Sequence, residues 1–195
     1  MHALAPGGPG GSPRVWRDLV YAWGNEEWSA EPEYLQAVAA AALSERGPVL
    51  ECGSGLTTLV LGAVAKKTGS SVWTLEHEPR WAERARSAVA RFRLPVRLCV
   101  TPLRNFGSFW WYDVDVSVMP SFGLVICDGP PSSTKGGRYG LLPVVGQRLG
   151  PGCRILLDDA DREGEREVLH RWTTEGNLRC EVHGTDRRFA ECRLP

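Results

Sequence analysis

Short apolar runs alternate along the chain with stretches of helical period. Pro48–Cys52 (PVLEC), Ser71–His77 (SVWTLEH), Val96–Leu103, Phe122–Asp128 (FGLVICD) and Cys153–Asp159 (CRILLDD) predict strands. Their near-continuous apolar character suits strands buried on both faces of a parallel sheet. Helices are predicted over Glu33–Ser44, Leu56–Lys67, Pro79–Phe92, Arg138–Leu149 and Glu163–Thr174. Ser29 or Glu31 stands near the start of the first. Pro79 fits a first helical turn, where no backbone donor is missed. Gly150–Pro151–Gly152 stops the fourth, and Asp159 or Asp161 would cap the fifth. Arg179–Gly184 and Phe189–Arg193 flank a turn at Thr185–Asp186–Arg187 and predict an antiparallel hairpin. The connection Arg104–Ser121 is long and aromatic-rich, as lids and binding loops often are. The alternation predicts an α/β, Rossmann-like single domain: a mostly parallel sheet, an antiparallel C-terminal hairpin strand and helices on both faces. Residues 1–13 read as a flexible tail and 14–195 as the domain, with 14–47 a helical cover carrying Trp16, Trp23 and Trp28.

Composition narrows the function. The 195 residues suit one core, and 23 basic residues balance 23 acidic ones. That balance gives no broad field for nucleic acid, which is bound through an excess of Lys and Arg. No apolar run reaches the length of a membrane span, and the N-terminus lacks a signal-peptide pattern, so a cytoplasmic protein is expected. The six cysteines form no CxxC pair. They are expected to be reduced, buried thiols, with Cys52 the candidate for a reactive one.

Chemistry concentrates at strand ends, where open α/β sheets bind ligands. Glu51 with Gly53 and Gly55, then Glu76 and His77, then Asp128, then Asp158 and Asp159 occupy those places. Buried acids are costly unless solvated, paired or metal-bound, so their repetition marks a site. In the loop LECGSGLTT, Thr58 replaces the third glycine of a dinucleotide-binding turn, which argues against a nicotinamide cofactor. Glu51 beside the turn suits a cationic ligand such as S-adenosylmethionine, with its ammonium and sulfonium. Glu76, 21 positions after Gly55, can accept hydrogen bonds from ribose hydroxyls.

From Val49 to Leu194 the chain resembles the class I S-adenosylmethionine-dependent methyltransferase superfamily. The matching residues are Glu51-Cys-Gly53-Ser-Gly55, Glu76 and Asp128-Gly-Pro-Pro; Thr57 departs from the glycine often found there. The resemblance implies a seven-stranded sheet and places Glu51, Gly53, Ser54, Gly55, Thr57 and Thr58 at the cofactor loop. It implies Glu76 and His77 near the ribose, Leu103 and Arg104 near the adenine, Trp28 and Ser29 as cover, and Asp128 between cofactor and acceptor. The layout is also similar to catechol-type, metal-dependent O-methyltransferases, which implies Mg²⁺ or another divalent cation on Asp128, Asp158 and Asp159. Here Asp-Asp stands where that family has Asp-Asn. Lys135 and Arg138, in a flexible loop beside this site, are candidates to hold an anionic substrate or act as base. The expected activity is O-methylation of a small-molecule hydroxyl. The alternatives are a sugar, polysaccharide or nitrogen acceptor, or an inactive cofactor-binding scaffold. Gly129 interrupts the Asn/Asp-Pro-Pro-aromatic element of amino-methylating enzymes. The sequence leaves the oligomeric state open, a homodimer included.

Overall fold

The structure is a computed structural model that describes residues 13–24, 29–185 and 187–195. The expected tail, save Pro13, lies outside these residues, as do Trp28 and Asp186. Two helices, α1 (Pro13–Trp23) and α2 (Pro32–Ser44), precede the first strand, β1 (Val49–Cys52). Then come α3 (Leu56–Thr68), β2 (Val72–Glu76), α4 (Pro79–Phe92) and β3 (Val96–Val100). A short ribbon, β4 (Leu103–Asn105) and β5 (Trp110–Tyr112), leads to β6 (Phe122–Cys127). After β7 (Leu149–Leu157), the helix α5 (Glu163–Gly176) and the hairpin β8 (Arg179–His183) and β9 (Phe189–Arg193) complete the chain.

The main sheet has seven strands in the order β3-β2-β1-β6-β7-β9-β8. Its pairings are parallel except those of β9 with β7 and β8. Alternate residues of each strand feed opposite layers. Leu124 and Ile126 of β6 pack with α2 and α3 through Leu35, Val38, Leu61 and Val64. Val125 and Cys127 pack on the other side with Trp111, Leu141, Val168 and Trp172. Each such fully buried aliphatic side chain contributes roughly 1.5–3 kcal/mol.

Three expectations need correction. The third strand stops at Val100, because Pro102 has no N–H to donate to a ladder; Leu103 begins a separate ribbon instead. The helix expected over Arg138–Leu149 is a succession of tight and wide turns, Gly137–Gly140, Leu141–Val145 and Gly146–Arg148. Three glycines and Pro143 within that stretch interrupt regular α-helical bonding. Gly150–Pro151–Gly152 does not end a helix but bulges out of β7, whose pairing with β6 jumps from Phe122–Leu149 to Leu124–Arg154. In addition, Arg162, not Asp159 or Asp161, is the N-cap of α5 and makes no side-chain cap.

The cysteines depart from expectation too. Cys180 and Cys192 face each other across β8 and β9 and form a disulfide, as directly opposed antiparallel positions permit. Cys52 is fully buried, and burial, with Cys127 beside it, pushes its thiol well above the ordinary range. It is an inert core thiol rather than a nucleophile.

Strand order reverses between β1 and β6, and the chain closes this point by passing glycine over glycine. The N–H groups of Asp128 and Gly129 both donate to the Cys52 carbonyl, at 3.0 and 2.7 Å. Gly53, at φ 86°, has Gly129 so close that an added Cβ would lie 2.9 Å from the Gly129 nitrogen. A Cβ on Gly129 would lie 2.8 Å from Gly53 Cα. Both loops therefore need to lack a side chain here. Gly53→Ala should lower stability by about 2–4 kcal/mol in urea unfolding, from backbone strain and overpacking together. Gly55→Ala should cost about 1 kcal/mol or less, since a Cβ there meets nothing within 4 Å.

Candidate active site

A cavity of about 350 Å³ opens above the β1/β6 crossing. Its walls come from the ends of β1, β2, β6 and β7, from α3 and α4, and from the segment that precedes α2. Gly53, Ser54, Gly55 and Thr57 line one end, with Glu76, His77, Trp81 and Tyr112. Ser29 and Ala30 cover it, and Trp23 stands at its edge. Asp128, Pro131, Ser132 and Ser133 line the other end, with Asp158, Asp159, Arg162 and Arg187.

Glu76 organises the first end. Its Oε2 accepts from the Ser54 N–H and hydroxyl, both at 2.7 Å. Its Oε1 accepts from the N–H groups of His77 and Glu78, at 2.7 and 2.8 Å. Burial alone would raise its pKa, but these hydrogen bonds outweigh it and hold the carboxylate below its ordinary value. The charge is thus fixed at the cavity wall. Gly55 leaves open space on the cavity side, and the N-terminus of α3 offers a favourable field for a carboxylate. The Tyr112 hydroxyl is buried without a partner. Burial pushes the phenol well above its ordinary range, so it remains a neutral donor on the cavity wall.

Glu51 behaves differently. It is fully buried and does not line the cavity. Its Oε2 accepts from Thr58 and Thr74 at 2.8 and 2.7 Å. The Thr58 hydroxyl in turn accepts from the Gly55 N–H at 3.0 Å. So Thr58, which takes the place of a glycine, ties the loop to the acid beneath it. Burial pushes Glu51 up to about 7, against the pull of the Thr57, Thr74 and Thr58 hydroxyls.

At the other end the acids converge as expected: Asp128, Asp158 and Asp159 have carboxylate oxygens within 4.8 Å of one another. Arg138 is inserted among them. Its Nη2 lies 3.1 Å from Asp128 Oδ1 and 3.2 Å from Asp159 Oδ2. Nη2 and Nη1 also donate to the carbonyls of Asp128 and Asp158, each at 2.6 Å. Glu165 Oε1 lies 3.4 Å from Nη1 and accepts from Ser132 at 2.7 Å. Arg162 pairs with Asp159 Oδ1 at 2.9 Å. Arg138 thus sets a positive charge against Asp128 and Asp159, on carboxylates that a divalent ion would also use. Burial, then Asp128 and Asp159, push Asp158 well above the carboxylate range. All three line the cavity, and Asp128 is the more exposed: its side chain is 29% exposed, against 8% for Asp159. Burial pushes it up to about 6, opposed by Arg138 and helped by Asp159.

The sequence profile of a family described as "Methyltransferase domain" matches residues 50–160, more than half of the chain. The chain belongs to this family. Solved structures share its fold at low identity. The methyltransferase PaMTH1 from Podospora anserina, bound to S-adenosylhomocysteine, gives a TM-score of 0.71 at 13% identity over 93% of this chain and 86% of that one. A putative O-methyltransferase from Klebsiella pneumoniae gives 0.69 at 18%, over 98% and 92%. The O-methyltransferase from Bacillus cereus, also with S-adenosylhomocysteine, gives 0.67 at 14%, over 98% and 93%. No curated protein matches the chain. The protein is an S-adenosylmethionine-dependent methyltransferase with the seven-stranded Rossmann-like fold of that superfamily.

In this methyltransferase Gly53, Ser54, Gly55, Thr57, Glu76, His77 and Ser29 line one end of the cavity, whereas Glu51 and Thr58 are buried outside its lining. Other candidates also depart from expectation. Leu103 and Arg104 lie in the β4–β5 ribbon outside the cavity lining, with Arg104 paired to Asp113 at 3.5 Å. Lys135 is exposed and donates to the Gly107 carbonyl at 2.8 Å, so it latches the ribbon rather than facing an acceptor. Arg138 is 2% exposed, and the acids around it raise its pKa further. An arginine held in that way cannot act as a base. Trp110 and Trp111 do not wall the cavity; Tyr112 does. Sequence reasoning missed Trp23, Trp81 and Arg187 as lining residues. No helix among the described residues is long and apolar enough to cross a membrane.

Two outcomes follow from this geometry. Glu51 binds its proton more tightly folded than unfolded, so its own contribution to stability is complete at acid pH and declines as pH rises from about 4.3 towards about 7. Glu51→Gln should flatten that decline and stabilise the protein by roughly 2–3 kcal/mol at alkaline pH in denaturant titrations. Tyr112→Phe removes an unpaired buried hydroxyl, so it should leave the melting temperature unchanged or higher. In calorimetry the same variant should bind S-adenosylhomocysteine several-fold more weakly; unaltered affinity would show that the hydroxyl faces no ligand.

Proposed function

We propose that the protein O-methylates a hydroxyl on a small, polar molecule, with Asp128 as the proton acceptor. The observation that carries this reading is the position of Asp128. It is the partly exposed acid of its cluster, one residue from the Gly53–Gly129 crossing, and so lies between the two ends of the cavity. Gly53, Ser54, Gly55, Glu76 and Tyr112 would hold S-adenosylmethionine, with Ser29 and Ala30 over it. Bound there, it supplies a methyl group already activated by sulfonium. The chain's residues have the remaining work of alignment and proton removal. The Asp128 carboxylate accepts the hydroxyl proton as the oxygen attacks. With its pKa near 6 it is mostly ionised at neutral pH and still basic enough to take that proton. Arg138, fixed on Asp128 Oδ1 and the Asp128 carbonyl, orients the carboxylate and keeps it from turning away.

The lining favours a polar acceptor. Ser132, Ser133, Asp159, Arg162 and Arg187, all polar or charged, form the acceptor end in this reading. That composition supports a polyhydroxyl acceptor such as a sugar over a catechol or phenol. The divalent cation implied by the resemblance is not part of this reading, since Arg138 occupies its place.

The test uses calorimetry with S-adenosylhomocysteine, then transfer of labelled methyl to a panel of sugars, hydroxy acids and phenols. Glu76→Ala should weaken S-adenosylhomocysteine binding by on the order of 1.5–3 kcal/mol, about 10- to 150-fold. Asp128→Asn should retain that binding but lower turnover about 10²–10⁴-fold. The wild-type rate should rise with pH through about 6 and then level off. An Asp128→Asn variant with full turnover would remove the base from this mechanism.

A further inference from the structure

We propose that Arg138 is the built-in cation of the acceptor end, and that methyl transfer by this protein needs no divalent metal. The inference rests on the reading of Asp128 as the acceptor-facing acid. Three convergent carboxylates repel one another, and a fold can relieve this with a metal ion or with a cationic side chain. This chain brings both options to one place. The oxygens of Asp128, Asp158 and Asp159 lie within 4.8 Å of one another, close enough for a small oxygen-seeking ion. Yet Nη2 of Arg138 already reaches Asp128 Oδ1 at 3.1 Å, Asp159 Oδ2 at 3.2 Å and the Asp128 carbonyl at 2.6 Å. A dication on those same oxygens would stand against a permanent positive charge at short range, in surroundings that screen it poorly.

The guanidinium has no retreat. It is 2% exposed, and Nη1 is held by the Asp158 carbonyl at 2.6 Å with Glu165 at 3.4 Å. Glu165 is itself fully buried. Withdrawing Arg138 would leave this acid and two carbonyls without their cation, a loss far greater than that of a surface ion pair. The segment bearing Arg138 is also wedged in place: a Cβ on Gly140 would lie 2.7 Å from the Trp111 side chain. Asp159 is further engaged by Arg162 at 2.9 Å, and Asp158 Oδ1 by the Asp159 N–H at 2.9 Å. A guanidinium keeps its proton at every accessible pH, so the positive charge here does not depend on ion supply. Unlike a metal it cannot bind and acidify the acceptor hydroxyl directly, which leaves deprotonation to Asp128.

The experiment titrates Mn²⁺ alone into the full chain, following free Mn²⁺ by electron paramagnetic resonance and the melting temperature in parallel. S-adenosylhomocysteine binding, measured on the same preparation, reads the cavity assignment separately. The wild type should leave the Mn²⁺ signal undiminished and melt at the same temperature with or without the ion. Arg138→Met keeps much of the side chain's bulk but removes its charge. It should take up Mn²⁺ and melt higher in its presence, because the carboxylates then lack a counter-charge. Uptake of one Mn²⁺ by the wild type, abolished in Asp159→Asn, would overturn the proposal. Should Arg138→Met fail to fold, the comparison of wild type with Asp159→Asn decides by itself.

Discussion

Four acids, Asp128, Asp158, Asp159 and Glu165, come together beneath one end of the cavity, and one buried guanidinium meets them. The arrangement joins elements that are distant in sequence. Asp128 directly follows β6, Asp158 and Asp159 directly follow β7, and Glu165 lies in the first turn of α5. Through hydrogen bonds to the carbonyls of Asp128 and Asp158, Arg138 also sets the spacing of the two strand ends. Burying such charges is costly, and the cost is tolerable only when each finds its counterpart. Removing the cation would therefore affect the shape of the acceptor end as much as its charge.

The two ends of the cavity are built on different physics. At the cofactor end the organising groups are backbone amides: Glu76 is held by those of Ser54, His77 and Glu78. Glycines bring two loops into contact there, and the field of α3 adds to theirs. That end is preorganised by main chain and leaves little to side-chain choice. At the acceptor end the groups are charged side chains and serines on loops, whose identity can change without altering the sheet. A fold of this kind can keep one cofactor while accepting many different acceptors.

The cofactor end was legible in the sequence because its residues sit at strand ends, and strands are found from local apolar runs. Gly53, Gly55, Glu76 and Asp128 were located in that way. The ribbon β4–β5 was not, since each strand has only three residues and a period of two cannot be established over so short a run. Its one local signal was Gly107, at φ 88°, between two aromatic stretches. Tyr112 lies in the long connection whose aromatics had drawn notice, but nothing local showed that it, rather than Trp110 or Trp111, would line the cavity. Arg138 was singled out for its charge, as a holder of an anionic substrate or a base; its burial among acids was not legible, because those acids lie after β6 and β7 and on α5 and no local pattern announces a pairing at that distance. Asp158 and Asp159 were correctly brought together with Asp128. Lys135, three positions from Arg138, has the same charge and a different fate, which only the tertiary structure decides.

Gly140 and Trp111 illustrate a wider consequence of close packing. The indole lies directly on the glycine, and Trp111 is itself fully buried. One residue belongs to the ribbon and the other to the turn bearing Arg138, yet they share a single volume. In the history of this family the two positions are therefore expected to change as a pair: a larger residue at 140 becomes admissible only where the residue at 111 has shrunk. Divergence of acceptor ends would then be recorded not only in the residues that touch the acceptor, but in this hidden pair beneath them.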